Sequence, residues 1–328
     1  MGQTTLGQAN ELRFQRRFLG HGVGWGQALI WLVLALVFLL MAYPFFYVIS
    51  LAVMPYAEYV GRPIHAWPAG FTTVYFREVL RDHRLVLAFE ISILKTVVGT
   101  ALNVVVTAMA GYALSRRELR YGRLLSFLFL VPLFVTGGLI PYYLVIRMTG
   151  LINTFWALVI PGLVASFYLF VVRTYFRSYP QEVIEAAIID GAGHFRIFWQ
   201  IVWPTSTPIL ATIAMLYGTA HWNDYYWPSI LVQSHLYPAT VVLQNITTSR
   251  SVLQGLGTGT QMTPQSFIAA VAAILVIPVI LVYPFVQRYI VKGILLGSVK
   301  GYEVTRCTRP EGSERETALD AEQKGSQQ

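Results

Sequence analysis

Six apolar stretches, each about twenty residues or longer, alternate with polar segments along the chain: 25–50, 89–114, 124–146, 154–175, 208–232 and 267–290. About twenty residues of helix cross the hydrocarbon core of a bilayer, so the pattern predicts six transmembrane helices. The first stretch is too long for a signal-peptide core and lacks a small-x-small cleavage site at its end. It is expected to be an uncleaved span, broken near its outer end by Pro44. A loop at 51–88 follows, with Pro55, Pro63 and Pro68. Only Met148–Asn153 separates the third and fourth stretches, room for no more than a tight turn. A second loop, 233–264, carries Gly255, Gly257 and Gly259, spaced for flexibility.

Residues 178–208 stand apart, too polar and too broken to cross a membrane. Ser178 with Gln181 reads as a capping box, with Pro180 in the first turn. The helix this begins should stop at Asp190-Gly191, because glycine fits the left-handed position past a helix end. A second helix is expected from His194 to about Trp203, ending at Pro204. Two helices hinged at a glycine form an L-shaped bracket, and small alanines let another surface approach closely.

The spacing in this bracket resembles the EAA loop of permease subunits of binding-protein-dependent ABC importers. That pattern runs Glu-Ala-Ala, three residues, Gly, nine residues, Ile, one residue, Leu-Pro. It falls on Glu185, Ala186, Ala187, Gly191, Ile201 and Pro204, with Asp190 just before the glycine and Trp203 in place of the usual Leu. The ending Gly111-Tyr112-Ala113-Leu114-Ser115-Arg116 resembles the family's Ala-Tyr-Ala-Leu-Ser-Arg. Gly137 to Tyr143, Gly150-Leu151, His221-Trp222-Asn223 and Leu236-Tyr237-Pro238 resemble a branch of carbohydrate permeases that serves complex oligosaccharides. That branch is more distantly similar to the maltose permeases. The resemblance covers about 25–302. It implies an all-α integral membrane fold of six helices with cytoplasmic coupling helices. It also implies that the bracket docks on a separate ATPase subunit.

The family further implies a second homologous permease subunit, two ATPase subunits, an extracytoplasmic solute-binding protein and a carbohydrate substrate. ATP and Mg would reside on the ATPase subunits, with no cofactor on this chain. The domain reading is a cytoplasmic segment 1–24, a permease domain 25–299 and a disordered cytoplasmic tail 300–328, the tail being polar and nearly free of large apolar residues.

Composition fits this class. The 328 residues are 55% hydrophobic and 12% charged, with mean hydropathy +0.55. Soluble domains carry about 25% charged residues. The net charge of +8 would suggest nucleic acid only if topology were ignored. Six spans put both termini on one side, with Arg13, Arg16, Arg17, Arg116, Arg117, Arg120, Arg123, Arg173, Arg177 and Arg196. The C-terminal part adds Arg288, Lys292, Lys300, Arg306, Arg309, Arg315 and Lys324, for 17 of the 24 basic residues. That side is expected to be the cytoplasm of a bacterium, against Arg62, Arg77, Arg81 and Arg84 in the first outer loop. The single cysteine, Cys307, excludes a disulfide framework and a Cys-based metal site.

No Gly-Lys pair and no His-Glu-x-x-His occur, which removes a Walker A loop and a zincin-type metal site. Glu90 and Lys95, five apart, lie on different helical faces, so both are expected to reach the interface. On the fifth stretch Tyr217, His221, Asp224, Tyr225 and Pro228 follow one helical stripe, with Asn223 beside it. An ionisable group at membrane depth costs about 3 kcal/mol on insertion scales, so it faces a wet path or a partner. The stripe reads equally as a sugar path, as an aromatic belt at the interface, or as a His221–Asp224 tie between helices. Two other classes compete for the chain: a secondary transporter or channel for a small polar solute, and a membrane-embedded hydrolase or transferase. Neither finds internal repeats or clustered carboxylates in the sequence.

Overall fold

A computed structural model describes residues 25–61, 67–248 and 263–299, with side chains as far as 284. Every regular element among them is helical. Two compact units are distinguished: Met1–Val79 with Arg250–Ala273, and Leu80–Ser249 with Ile274–Gln328.

In the first unit, helix α1 spans Trp25–Val53. It is apolar on all sides and buries only Ser50 to Val53, as a helix meant for lipid or a partner does. Pro44 sits inside it without ending it, contrary to the expected break. The expected loop 51–88 is partly helical, with α2 at Tyr56–Gly61 and α3 at Val74–Arg81. Between them the Glu58 carboxylate accepts the N–H groups of Ala69 and Gly70 at 2.7 and 2.8 Å.

The second unit is built on α4, His83–Ser115, which is 33 residues long and begins at Asp82, whose carboxylate accepts the Arg84 N–H. The third apolar stretch is not one helix. It forms α5, Gly122–Phe134, and α6, Leu139–Met148, parted at Gly137-Gly138, where Gly138 has φ 76°. The fourth starts as 3-10 turns at Phe155–Leu158 and Ile160–Gly162, then bends by 50° into α7, Ser166–Arg177. Two bracket helices follow: α8, Gln181–Ile189, and α9, His194–Thr205. The fifth stretch breaks in two: α10 covers Thr207–Asn223, and α11 restarts at Tyr226–Leu231. The second expected loop contains α12, Ala239–Thr248, while Gly255, Gly257 and Gly259 lie outside the described residues. Helix α13 runs Pro264–Val299 and includes Pro278 and Pro284. The expected tail, the segment 1–24 and Cys307 are likewise outside the described residues.

Among the described residues three helices are long and apolar enough to cross a membrane, or up to five if each bent pair is one span. Helices α4, α7 and α10 share one core with the bracket: Val104, Ala108, Tyr112, Val172, Phe176, Ile213 and Tyr217 pack with Ile184, Ala187, Ile197, Phe198 and Val202. A second cluster, around Ile146, Leu158, Val159 and Leu231, joins α6 and α11 through the 3-10 turns. Gly111 lets α7 press on α4, since a Cβ there would stand 2.9 Å from Val172 Cγ1.

Candidate functional site: the bracket and the polar seam

The bracket folds as expected at its turn and differently at its start. The N-cap of α8 is Pro180, with no side-chain cap. Ser178 does not form the expected capping box. Its hydroxyl donates to Tyr175 O at 2.8 Å and so closes α7 instead. At the other end, Ala192 N–H reaches Ala187 O at 2.9 Å and Gly191 N–H reaches Ile188 O at 3.0 Å, a Schellman motif. Gly191 has φ 78°, and no atom lies within 4 Å of where its Cβ would be. The demand for glycine is therefore one of backbone conformation, not of space. Helix α9 does not stop before Pro204. It is π-helical over Phe198–Val202, continues to Thr205, and meets α10 at a bend of 83°.

The EAA positions divide between two faces. Ala187 is buried against the core and Ile201 is half-buried beside it. Glu185, Ala186, Asp190, Gly191 and Pro204 face outward. Trp203, the departure from the family pattern, packs its ring 4.9 Å from Trp199 and 5.7 Å from Phe198. The outward face also carries Ile189 and Phe195, 85% and 68% exposed, which the motif did not single out. Their signal in the sequence is large apolar residues close on either side of the glycine turn. A cavity of about 360 Å³ opens between the end of α4 (Met109, Tyr112, Arg116) and α9 (His194, Phe195, Phe198).

The stripe expected on the fifth stretch is not one stripe, because the helix ends at Asn223. Tyr217 is buried, and its hydroxyl accepts the Ala165 N–H at 2.9 Å while lying 2.8 Å from Thr107 Oγ1. His221 does not pair with Asp224. It packs on Gly99, where a Cβ would come within 2.6 Å of its Nε2, and that nitrogen has no hydrogen-bond partner. The partner of Asp224 is Lys95, which does not reach the interface. Its side chain is fully buried, with Nζ 2.8 Å from Asp224 Oδ2. Glu90, by contrast, is exposed. Asn223, Tyr225 and Tyr226 remain exposed at the break.

Lys95 belongs to a polar seam on one face of α4: Ser92, Lys95, Gly99, Asn103 and Thr107, spaced by three or four residues. Each polar member serves a place where another helix begins or is interrupted. Ser92 Oγ accepts the Ala239 N–H at the start of α12. Asn103 Nδ2 donates to Gly162 O at the 3-10 turn. Thr107 acts through Tyr217 on Ala165 N, ahead of α7. Non-helical backbone survives at membrane depth only where it is buried in protein or lines a water-filled cavity. The spacing was readable in the sequence, but an apolar helix with few charges gave no reason to weigh it. Among the described residues no three His, Cys, Asp or Glu gather where a metal ion could sit.

The family described as "Binding-protein-dependent transport system inner membrane component" matches residues 103–296, more than half of the chain and including the whole bracket. The chain belongs to this family. It is thus a multi-pass permease component of a binding-protein-dependent importer, a transport component by family. Among its relatives is the Polygalacturonan/rhamnogalacturonan transport system permease protein YtcP of Bacillus subtilis (strain 168), 34% identical over 80% of this chain and 94% of the relative. Another is the Arabinooligosaccharides transport system permease protein AraQ of Halalkalibacterium halodurans, 27% identical over 65% of this chain and 74% of that one. The fold is also that of a chain in the crystal structure of a bacterial ABC transporter involved in the import of the acidic polysaccharide alginate. There the TM-score is 0.75, with 26% identity, covering 84% of this permease and 97% of that chain.

Proposed function

We propose that this permease forms half of the transmembrane path of an ATP-driven importer for a carbohydrate, specifically an oligosaccharide. Its partners in this reading are a second homologous permease subunit, two ATPase subunits that hold ATP and Mg, and an extracytoplasmic solute-binding protein. The names of YtcP and AraQ and the alginate importer support the sugar class. Both termini and the bracket lie in the cytoplasm, in line with the basic residues on that side, and the chain crosses the membrane six times.

The observation that carries the coupling role is the outward face of α8 and its turn. Glu185, Ala186 and Ile189 project from a helix whose opposite side is anchored in the core by Ile184 and Ala187. If α10 stands across the bilayer, the 83° bend lays α9 nearly flat on the cytoplasmic surface, where a docking cleft can receive it. Uptake of labelled oligosaccharide into proteoliposomes holding the full complex tests the reading. Uptake should require internal ATP and the external binding protein. Uptake driven by a proton or sodium gradient without ATP would favour a secondary transporter instead.

A further inference from the structure

We infer that Lys95, through its pair with Asp224, is a positioning residue for transport: it holds open the break that displays Asn223, Tyr225 and Tyr226 to the passing sugar. The inference rests on the importer reading above. Four contacts converge on Asp224. Its Oδ2 meets Lys95 Nζ at 2.8 Å, and its Oδ1 accepts the Trp227 N–H at 3.3 Å. Its carbonyl, freed where α10 ends, accepts from Lys95 Nζ at 3.3 Å and from Thr240 Oγ1 at 3.2 Å.

The charges are matched to the backbone around them. The ammonium lies beside the Asp224 carbonyl at the end of α10 and the carboxylate accepts the Trp227 N–H in the first turn of α11, each the sign that its helix end favours. Without the pair, the carbonyl of residue 224 keeps one hydroxyl donor and the Trp227 N–H loses its acceptor. The segment is held from its flanks as well. Trp222 Nε1 donates to Leu275 O at 3.2 Å, and the Trp227 ring packs 4.2 Å from that of Tyr142. Between these anchors Tyr225 and Tyr226 stand 48% and 46% exposed, with Asn223 beside them. Aromatic faces edged by an amide suit the flat C–H faces and hydroxyl rims of a sugar. Because Lys95 and Asp224 neutralise each other behind it, this shelf presents no net charge of its own.

A buried ion pair can act by attraction alone or by geometry, and exchange of the residues separates the two. The whole importer complex is reconstituted with Lys95→Met, with Lys95→Met and Asp224→Leu together, and with Lys95→Asp and Asp224→Lys together. Lys95→Met alone leaves a carboxylate unpaired, so both thermal stability and uptake should fall. The apolar double replacement should recover most of the stability, because such pairs are often replaceable by apolar groups. Its KM for uptake should stay raised by about tenfold, the scale of one lost charge-assisted hydrogen bond. The exchanged pair puts each charge beside the wrong helix end, and its KM should stay raised too. A wild-type KM in either double variant would overturn the inference.

A second readout does not depend on transport. With Tyr225→Cys in a Cys307→Ser background, the rate of labelling by a hydrophilic thiol reagent should change by about tenfold when Lys95→Met is added. An unchanged rate would also overturn the inference. Absence of ATP-dependent uptake by the wild-type complex would count against the importer reading, and the labelling result would still decide whether Lys95 shapes the break.

Discussion

The hydroxyls of Thr107 and Tyr217 lie 2.8 Å apart and join α4 to α10 inside the buried core. Tyr217 adds a third helix by accepting the Ala165 N–H just before α7. Tyr217, on a stripe that reads equally as a sugar path, thus fastens three helices together. Tyr217→Phe leaves the buried Thr107 hydroxyl and the half-buried Ala165 N–H without their partner, and a buried orphaned group costs about 1–3 kcal/mol. The purified complex should unfold at a lower temperature, and uptake per folded complex should stay near wild type. Loss of uptake at unchanged thermal stability would return Tyr217 to the path.

Gly99 and His221 give a second test of the same seam. A Cβ at residue 99 would stand 2.6 Å from His221 Nε2. Overpacking of this kind costs about 1–3 kcal/mol. Gly99→Ala should lower thermal stability, and adding His221→Ala should recover much of the loss by removing the ring. If the double variant is as unstable as the sum of the single changes, the ring is not what the methyl meets.

At the bracket turn the cost is purely conformational. Gly191 has φ 78° with open space around it, so Gly191→Asn should be tolerated and Gly191→Val should not. A side chain at positive φ costs about 1–2 kcal/mol, with asparagine the mildest case. Substrate-stimulated ATP hydrolysis by the complex should fall in the order Gly, Asn, Val. Membrane insertion, followed by protease protection, should not change. Equal hydrolysis by the asparagine and valine variants would disprove the backbone argument.

Topology is open to a direct check. Single cysteines at Ala69 and Gly122 in a Cys307→Ser background are exposed to an impermeant thiol reagent in intact cells. Ala69→Cys should label from outside and Gly122→Cys only after the membrane is opened. Labelling of Gly122→Cys from outside would reverse the orientation assigned to the bracket.

The bracket was legible because its signals are local. A glycine past a helix end and a glutamate-alanine-alanine run state their conformation within a few residues. The helix breaks were not legible from apolar runs, because hydrophobicity does not distinguish a continuous helix from two joined at Gly137-Gly138 or at Asp224. What supports the breaks at Asp224 and Gly162 lies far away in sequence, on α4. Lys95 and Asp224 are 129 residues apart, and Asn103 and Gly162 are 59 apart. Counting five residues from Glu90 to Lys95 excluded one local ion pair correctly, but it could not reveal a partner on another helix. Ser178 shows the opposite limit. The capping-box spacing was present, and the hydroxyl was taken by the preceding helix.

The shared core beneath α8 and α9 has a mechanical consequence. Ile184 and Ala187 pack in the same cluster as Phe198, Tyr112 and Tyr217. Close-packed interiors compress little, so a force on the outer side of α8 is passed on as displacement and not absorbed. The α8–α9 unit can then act as a crank with its pivot at Ser206, where α9 turns by 83° into α10. A sideways push becomes a tilt of α10, and the far end of that helix, next to Asp224, sweeps the longest arc.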